Sequence, residues 1–240
     1  MIYTEKYNTQ WHDTNANRVM RPSALLTYMQ ETANRQFQRL ATSLDTIRDR
    51  DGLAFILGRI AIEIEQPLHA YEDIEVQTFT CPARGPIFPR GFVVLREGKA
   101  VARATSQWAL LRLADRSFAR AADIEMPFED EPELSLSIPL RVRLPRELCF
   151  EQVGEREIVW SDVDYNLHMN NTKYPDMVCD FLPFPQKTRI RGLSLSYCRE
   201  ARLGDRLTVE RAEGEDGVFY FRTRCGDTVC LEAAVYTTEA

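Results

Sequence analysis

Hydrophobic positions along the chain change period twice, each time in the same order. From Arg21 to Ala41, Leu25, Leu26, Met29, Ala33, Phe37 and Leu40 fall at helical spacing, and Pro22 suits a first helical turn. The runs that follow, Leu53 to Glu65, Asp73 to Cys81, Gly91 to Arg96 and Ala100 to Leu113, predict strands. A shorter helix is predicted over Asn171 to Leu182, with Pro175 in about its first turn. Strand-like runs follow it at Thr188 to Tyr197, Arg206 to Glu210, Val218 to Arg224 and Thr228 to Thr238. The tight turns Glu97-Gly98-Lys99 and Cys225-Gly226-Asp227 separate the last two strands of each series, as hairpin loops do.

The order strand, helix, strand meander is therefore written twice, and the residues ahead of each helix repeat as well. Trp11, Asp13, Asn17 and Met20 recur in register as Trp160, Asp162, Asn166 and Met169, with Asn15 standing opposite Asp164. Between the series, Asp115 to Arg146 carries Pro127, Pro132, Pro139 and Pro145 and the acidic run Glu129, Asp130, Glu131 and Glu133. Prolines remove ladder donors and clustered carboxylates repel, so this stretch reads as an extended linker. The expected division is a first half over residues 1–128, a linker over 129–145 and a second half over 146–240. Neither half covers its sheet alone, so the two must pack together.

Composition adds exclusions. A chain of 240 residues that is 44% hydrophobic and 28% charged can build a core, and no run of about 18 apolar residues predicts a spanning helix. The opening residues have neither a basic nor an apolar leader region, so the expected location is cytoplasmic. Six scattered cysteines with no C-x-x-C spacing and three histidines argue against a zinc site and for reduced thiols. A net charge of −6 argues against a general affinity for nucleic acid.

Candidate chemistry concentrates between Trp160 and Thr172. Asp164, Asn166 and His168 alternate, which places them on one side if the backbone is extended. Such residues disfavour strand interiors, and local conflict of that kind marks functional sites. The alternative is that Asp and Asn here simply form turns and that Asn170 or Asn171 caps the following helix. A second patch holds Tyr197, Cys198, Arg199 and Glu200 at the end of an apolar run, where Glu200 alone could be a surface carboxylate paired with Arg199 or Arg202.

The run Asp162-Val-Asp164-Tyr-Asn166-Leu-His168-Met-Asn170-Asn171-Thr-Lys173-Tyr174 resembles the D-x-D-x-N-x-H-x-N-N-x-K-Y motif of acyl-acyl carrier protein (acyl-ACP) thioesterases. Tyr197-Cys-Arg199-Glu200 is similar to that family's Y-R-R-E segment, and Trp11 with the long first helix matches its opening. The resemblance implies an α+β tandem (double) hotdog, in which two antiparallel-sheet-wrapped helices are joined into one continuous sheet. It implies hydrolysis of an acyl-ACP thioester to release a free fatty acid. No metal or cofactor is implied. Catalytic roles fall on Asp164, Asn166, His168 and Glu200, whereas the first half has Asn15, Asn17 and Val19 and would shape the acyl pocket.

Some members of that family carry a Cys after the Glu. This chain has Ala201 there, and Cys198 lies on the opposite face of a regular strand, which disfavours a Cys-His nucleophile. Backbone amides near Asn170 to Lys173 are candidates for holding the carbonyl oxygen. Asp164 or Glu200 would act on water, or Asp164 would attack directly; Asn166 would orient, and His168 would bond the thioester or shuttle a proton.

The implied partner, acyl carrier protein, is acidic. Basic residues must then gather at the mouth, with Arg141, Arg143 and Arg146, or Lys187, Arg189, Arg191, Arg199 and Arg202, as candidates. Leu26, Met29, Phe37, Phe55 and Trp108 are the expected walls of the acyl pocket. Alternatives are a hotdog thioesterase for acyl-CoA and a noncatalytic acyl-binding protein. The chain would be a monomeric pseudo-dimer or a homodimer.

Overall fold

The computed structural model describes residues 1–39, 43–124 and 129–239. Ten strands form one antiparallel sheet: β1 (Tyr3–Asn8), β2 (Leu53–Ile64), β3 (Asp73–Thr80), β4 (Ile87–Arg96), β5 (Lys99–Arg112), β6 (Glu151–Glu157), β7 (Thr188–Tyr197), β8 (Arg206–Glu213), β9 (Val218–Cys225) and β10 (Thr228–Glu239). Their spatial order is β1-β3-β4-β5-β2-β7-β10-β9-β8-β6, a palindrome in which each strand of one half mirrors its counterpart in the other. Three helices accompany them, α1 (Pro22–Arg39), α2 (Leu44–Asp51) and α3 (Lys173–Asp180). This is the double hotdog that the resemblance implies, with one continuous sheet.

The seam is the β2–β7 pair, running from Arg59↔Ser196 to Glu63↔Gly192 around Ala61↔Ser194. Above it, α1 buries Leu25, Leu26, Met29, Ala33 and Phe37 as its spacing predicts; Leu40 and Ala41 lie outside the described residues. Leu25, Leu26 and Met29 share one core with Met169, Tyr174, Met177, Leu193 and Leu231 of the second half. The helices meet at their starts: Asp176 of α3 accepts from the Ser23 hydroxyl at 2.5 Å and from the Ser23 amide at 3.3 Å. A carboxylate at the first turn of α1 is favourable to its dipole, so this contact ties the halves as well as capping a helix.

Three elements escape the hydrophobic pattern. Strands β1 and β6 are the two sheet edges, polar and short as edges should be, and β6 (EQVGERE) has almost no apolar signal. Helix α2 buries only Ile47, too little for a visible period. Its boundaries were nonetheless written in the sequence, since the Ser43 side chain accepts from the Thr46 amide and Gly52 closes the helix at φ +64°.

The linker differs from the extended tether expected from Asp115 onward. Arg116 to Ala119 folds back on β5, where the Ala119 amide donates to Leu110 O at 2.8 Å. Farther on, Ile138 and Val142 are buried, Glu131 N–H donates to Thr80 O at 2.8 Å, and the Ser194 hydroxyl donates to Pro139 O at 2.6 Å. Its prolines suit a chain that lies across a sheet and bonds it only at intervals. Pro127 falls outside the described residues.

Candidate active site

Asp164 to His168 is not an extended strand with three side chains on one face. Val163 bridges Met169, the Asp164 amide donates to His168 O at 3.1 Å, and the Leu167 amide donates to Asp164 O at 2.9 Å. The segment is a tight hairpin loop, closed by Leu167 at φ +62°. Asp164 and His168 face each other across its neck and Asn166 sits at its exposed tip. The Asp164 Oδ1 accepts from the Asn166 amide at 2.8 Å, an Asx turn that a strand-like reading could not foresee.

The first half builds the same loop. Asn15 N–H donates to Val19 O at 2.9 Å, Arg18 N–H to Asn15 O at 2.9 Å, and Asn15 Oδ1 accepts from the Asn17 amide at 2.9 Å. Arg18 also has φ +62°, so the left-handed residue belongs to the turn and not to any chemistry. Asn15 performs every structural task that Asp164 performs. What the second half adds is charge.

A neighbouring loop completes the set. Met169 N–H donates to Ala201 O at 2.8 Å and His168 bridges Arg202, which seats Glu200 beside the imidazole, with His168 Nε2 3.9 Å from Glu200 Oε1. Met20 N–H donates to Leu68 O at 2.8 Å in the same way, so the counterpart of Glu200 is Pro67. Asp164, His168 and Glu200 thus answer to Asn15, Val19 and Pro67, so at these three positions only the second half carries ionisable groups; the reverse holds at the turn residue, where the first half has Arg18 and the second Leu167.

Three expectations change. Strand β7 ends at Tyr197, and the Cys198 and Arg199 amides both reach Cys230 O, at 2.9 and 3.2 Å; Glu200 therefore lies in the turn beyond the strand. Its charged neighbour in the structure is His168 rather than Arg199 or Arg202. The face argument about Cys198 lapses with the strand, but the thiol is disfavoured as a nucleophile on other grounds. Its Sγ lies 3.6 Å from Ser196 O, and desolvation, then the Glu232 charge, raises its pKa.

The amides near α3 are mostly spent. Asn170 N–H donates to Asp162 O at 2.9 Å, Thr172 N–H to Asn170 Oδ1 at 2.9 Å, and Lys173 N–H to Asn170 O at 2.9 Å. Of the four, the Asn171 amide alone has no partner among the described residues. Asn170 shapes the turn into the helix, and Asn171 O accepts from the Tyr197 hydroxyl at 3.0 Å.

A cavity of about 270 Å³ lies between α1, α2 and the sheet of the first half, lined in part by Ala33, Phe37, Leu44, Phe55, Phe88 and Trp108. None of Asp164, Asn166, His168 and Glu200 lines it; α2, which supplies Leu44 to its wall, also meets the hairpin loop, the Arg48 guanidinium lying 5.8 Å from the Tyr165 ring centre. Phe37, Phe55 and Trp108 are walls as expected. Leu26 and Met29 are not; both are fully buried in the shared core. The cavity also holds a buried arginine that the sequence did not single out. Arg90 Nη1 donates to Gln36 Oε1 at 2.7 Å and to Thr78 Oγ1 at 3.0 Å, and desolvation lowers its pKa to about 10. A larger cleft of about 710 Å³ opens beside Asn15, Asn17, Val19 and Pro67, the uncharged counterpart of the site.

Known proteins resemble this chain over its whole length. A family model for the acyl-ACP thioesterase N-terminal domain matches residues 1–126, and one for the C-terminal domain matches residues 151–230. The chain is 23% identical over 240 residues to oleoyl-acyl carrier protein thioesterase 2, chloroplastic, of Arabidopsis thaliana, covering 89% of this chain and 64% of that protein. It is 22% identical over 216 residues to a palmitoyl-acyl carrier protein thioesterase, chloroplastic, of Gossypium hirsutum, covering 83% and 52%. The chain therefore spans between about half and two thirds of these curated relatives.

Among solved structures, an acyl-ACP thioesterase from Bacteroides thetaiotaomicron superposes with a TM-score of 0.89 at 23% identity, covering 99% of this chain and 98% of the other. The 12:0-ACP thioesterase from Umbellularia californica superposes with a TM-score of 0.85 at 17% identity, covering 100% and 98%. Both share the fold.

Proposed function

The chain belongs to the acyl-ACP thioesterase family, and from that premise we propose that it hydrolyses the thioester of an acyl-acyl carrier protein, releasing a free fatty acid. One observation carries the reading. Two halves build the same loop, and only the second arms it with Asp164, His168 and Glu200, the last two 3.9 Å apart.

In this reading the acyl chain lies in the cavity walled by Phe37, Phe55 and Trp108, and the thioester carbonyl meets the neck of the second loop. The Asn171 amide is placed to take the developing negative charge on oxygen. Glu200 draws a proton from water as its oxygen bonds the carbonyl carbon. The carbon–sulfur bond then breaks, and the proton taken up by Glu200 passes through His168 to the departing thiolate, giving an acid and a thiol. A separation of 3.9 Å exceeds a hydrogen bond, as suits a pair that closes around a water or a substrate. Asp164 supplies a further carboxylate at the neck of the loop, and Asn166 at the loop tip bonds the water or the carboxylate.

The carrier protein is met through cations flanking the same loop, Arg199 beside Glu200 and Arg202 beside His168, with Arg48 across the loop on α2. Lys187 and Arg189 sit instead by the cleft of the first half's loop, whose lining includes Pro185 and Arg189, and Arg191 stacks 5.6 Å from the Tyr236 ring. A reducing, cytoplasmic setting belongs to the same reading, supported by six free cysteines. So does a pseudo-dimer within one chain, supported by the β2–β7 seam. The test is fatty-acid release over a panel from octanoyl- to octadecanoyl-ACP, with the matching acyl-CoA thioesters as controls. Release from at least one acyl-ACP, faster than from its CoA counterpart, is expected. Activity on the CoA series alone would move the proposal to the acyl-CoA reading.

A further inference from the structure

The pocket that receives the acyl chain is not uniformly apolar. Thr80, the last residue of β3, lines it and is 8% exposed, and its Oγ1 has no hydrogen-bond partner among the described residues. Gln30 of α1 lines the same cavity, and its Nε2 is buried without an acceptor among the described residues. Arg90, paired with Thr80 across β3 and β4, belongs to the same wall and brings a desolvated positive charge. A plain methylene chain would cover these groups and leave them unsatisfied, which counts against it. An amide nitrogen can only donate, so the missing partner is an acceptor, and a hydroxyl such as that of Thr80 can donate to the same atom. The Arg90 guanidinium is already bonded by Gln36 and Thr78, and with Asp130 also lining the cavity the wall carries one charge of each sign, so the acceptor it suits is a neutral oxygen.

Resting on the thioesterase reading, we propose that this pocket selects acyl chains bearing a neutral oxygen function, a hydroxyl or an oxo group, and that Thr80 and Gln30 are the residues that select it. A site built to bond a substrate oxygen discriminates against the analogue that lacks it, because its own buried groups are then left unpaired.

The experiment compares saturated, hydroxy- and oxo-acyl-ACPs of equal chain length, with the oxygen placed near the thioester or mid-chain. Wild type, Thr80→Val, Gln30→Leu and Thr80→Ser are assayed on all of them. At least one oxygenated substrate is expected to exceed its saturated match about tenfold in kcat/KM, the worth of roughly one hydrogen bond. That ratio should collapse in Thr80→Val and Gln30→Leu and persist in Thr80→Ser, and the hydroxy and oxo arms tell the two oxygen types apart. Equal or better rates on saturated chains, with ratios unmoved by the substitutions, would overturn it. Calorimetric binding of the corresponding free fatty acids to the same four proteins separates the two claims. If no thioester is cleaved but oxygenated acids bind more tightly and Thr80→Val removes the difference, hydrolysis falls and the pocket assignment stands. Equal binding of both kinds of acid would overturn the assignment.

Discussion

Asp164 and Asn15 make the same Asx turn with a carboxylate and an amide, at 2.8 and 2.9 Å. The acid is therefore dispensable for shape, and Asp164→Asn should leave the unfolding free energy within about 0.5 kcal/mol of wild type while turnover falls by about 100-fold or more. Urea titration and fatty-acid release on one preparation check both halves of that statement. A second prediction concerns Tyr197, whose phenol is held above the ordinary value of 10.0 by burial and then by Tyr174. The unfolded chain ionises near that value and the folded chain later. The stability this group contributes is complete below pH 10 and drains as pH rises toward the folded value. Tyr197→Phe should cost about 1 kcal/mol at pH 8 through the lost bond to Asn171 O, and its unfolding free energy should fall less steeply than wild type above about pH 10. At this scale the sequence was a partial guide. Residue types and spacing singled out Asp164, Asn166, His168 and Glu200, but the side-chain bond that curls the loop, and the proline that answers to Glu200, have no periodicity to announce them.

Elements were legible in proportion to the apolar surface they bury. Strands β2, β3, β7 and β10 bury runs or alternations of apolar side chains and helix α1 one face, and their pattern betrays them; β1, β6 and α2 bury little, so only caps and edge logic remain. Strand β4 starts at Ile87, ahead of the expected Gly91, because Pro89 and Arg90 mask its apolar run. Gly91 illustrates why a glycine stands inside a buried strand. Phe79 pairs with it across β3 and β4 and lies over its backbone, and an added Cβ would overlap the ring. Gly91→Ala should destabilise by about 1–3 kcal/mol, the usual cost of overpacking, measured by urea titration, and a variant as stable as wild type would contradict this packing.

At the scale of the whole molecule, the duplication was visible in the sequence and the symmetry was not. The strand order closes as a palindrome about Ala61↔Ser194, so the two loops occupy corresponding places in the sheet, while α2, which has no counterpart among the described residues of the second half, meets the second loop. An acidic chain of net charge −6 that docks an acidic carrier must do so through local cations. Arg199→Ala with Arg202→Ala should lower kcat/KM on acyl-ACP several-fold at low salt, lose that effect as salt screens the contact, and leave rates on an acyl-pantetheine thioester near wild type; equal loss on both substrates would place these arginines in the chemistry instead. The central claim is that hydrolysis depends on the three ionisable groups of the second half. Its most direct measurement is fatty-acid release from acyl-ACP by the triple variant Asp164→Asn, His168→Val, Glu200→Gln, in which the second loop carries the uncharged chemistry of the first. The account predicts a folded protein whose release rate matches the enzyme-free control. Release at the wild-type rate would contradict it.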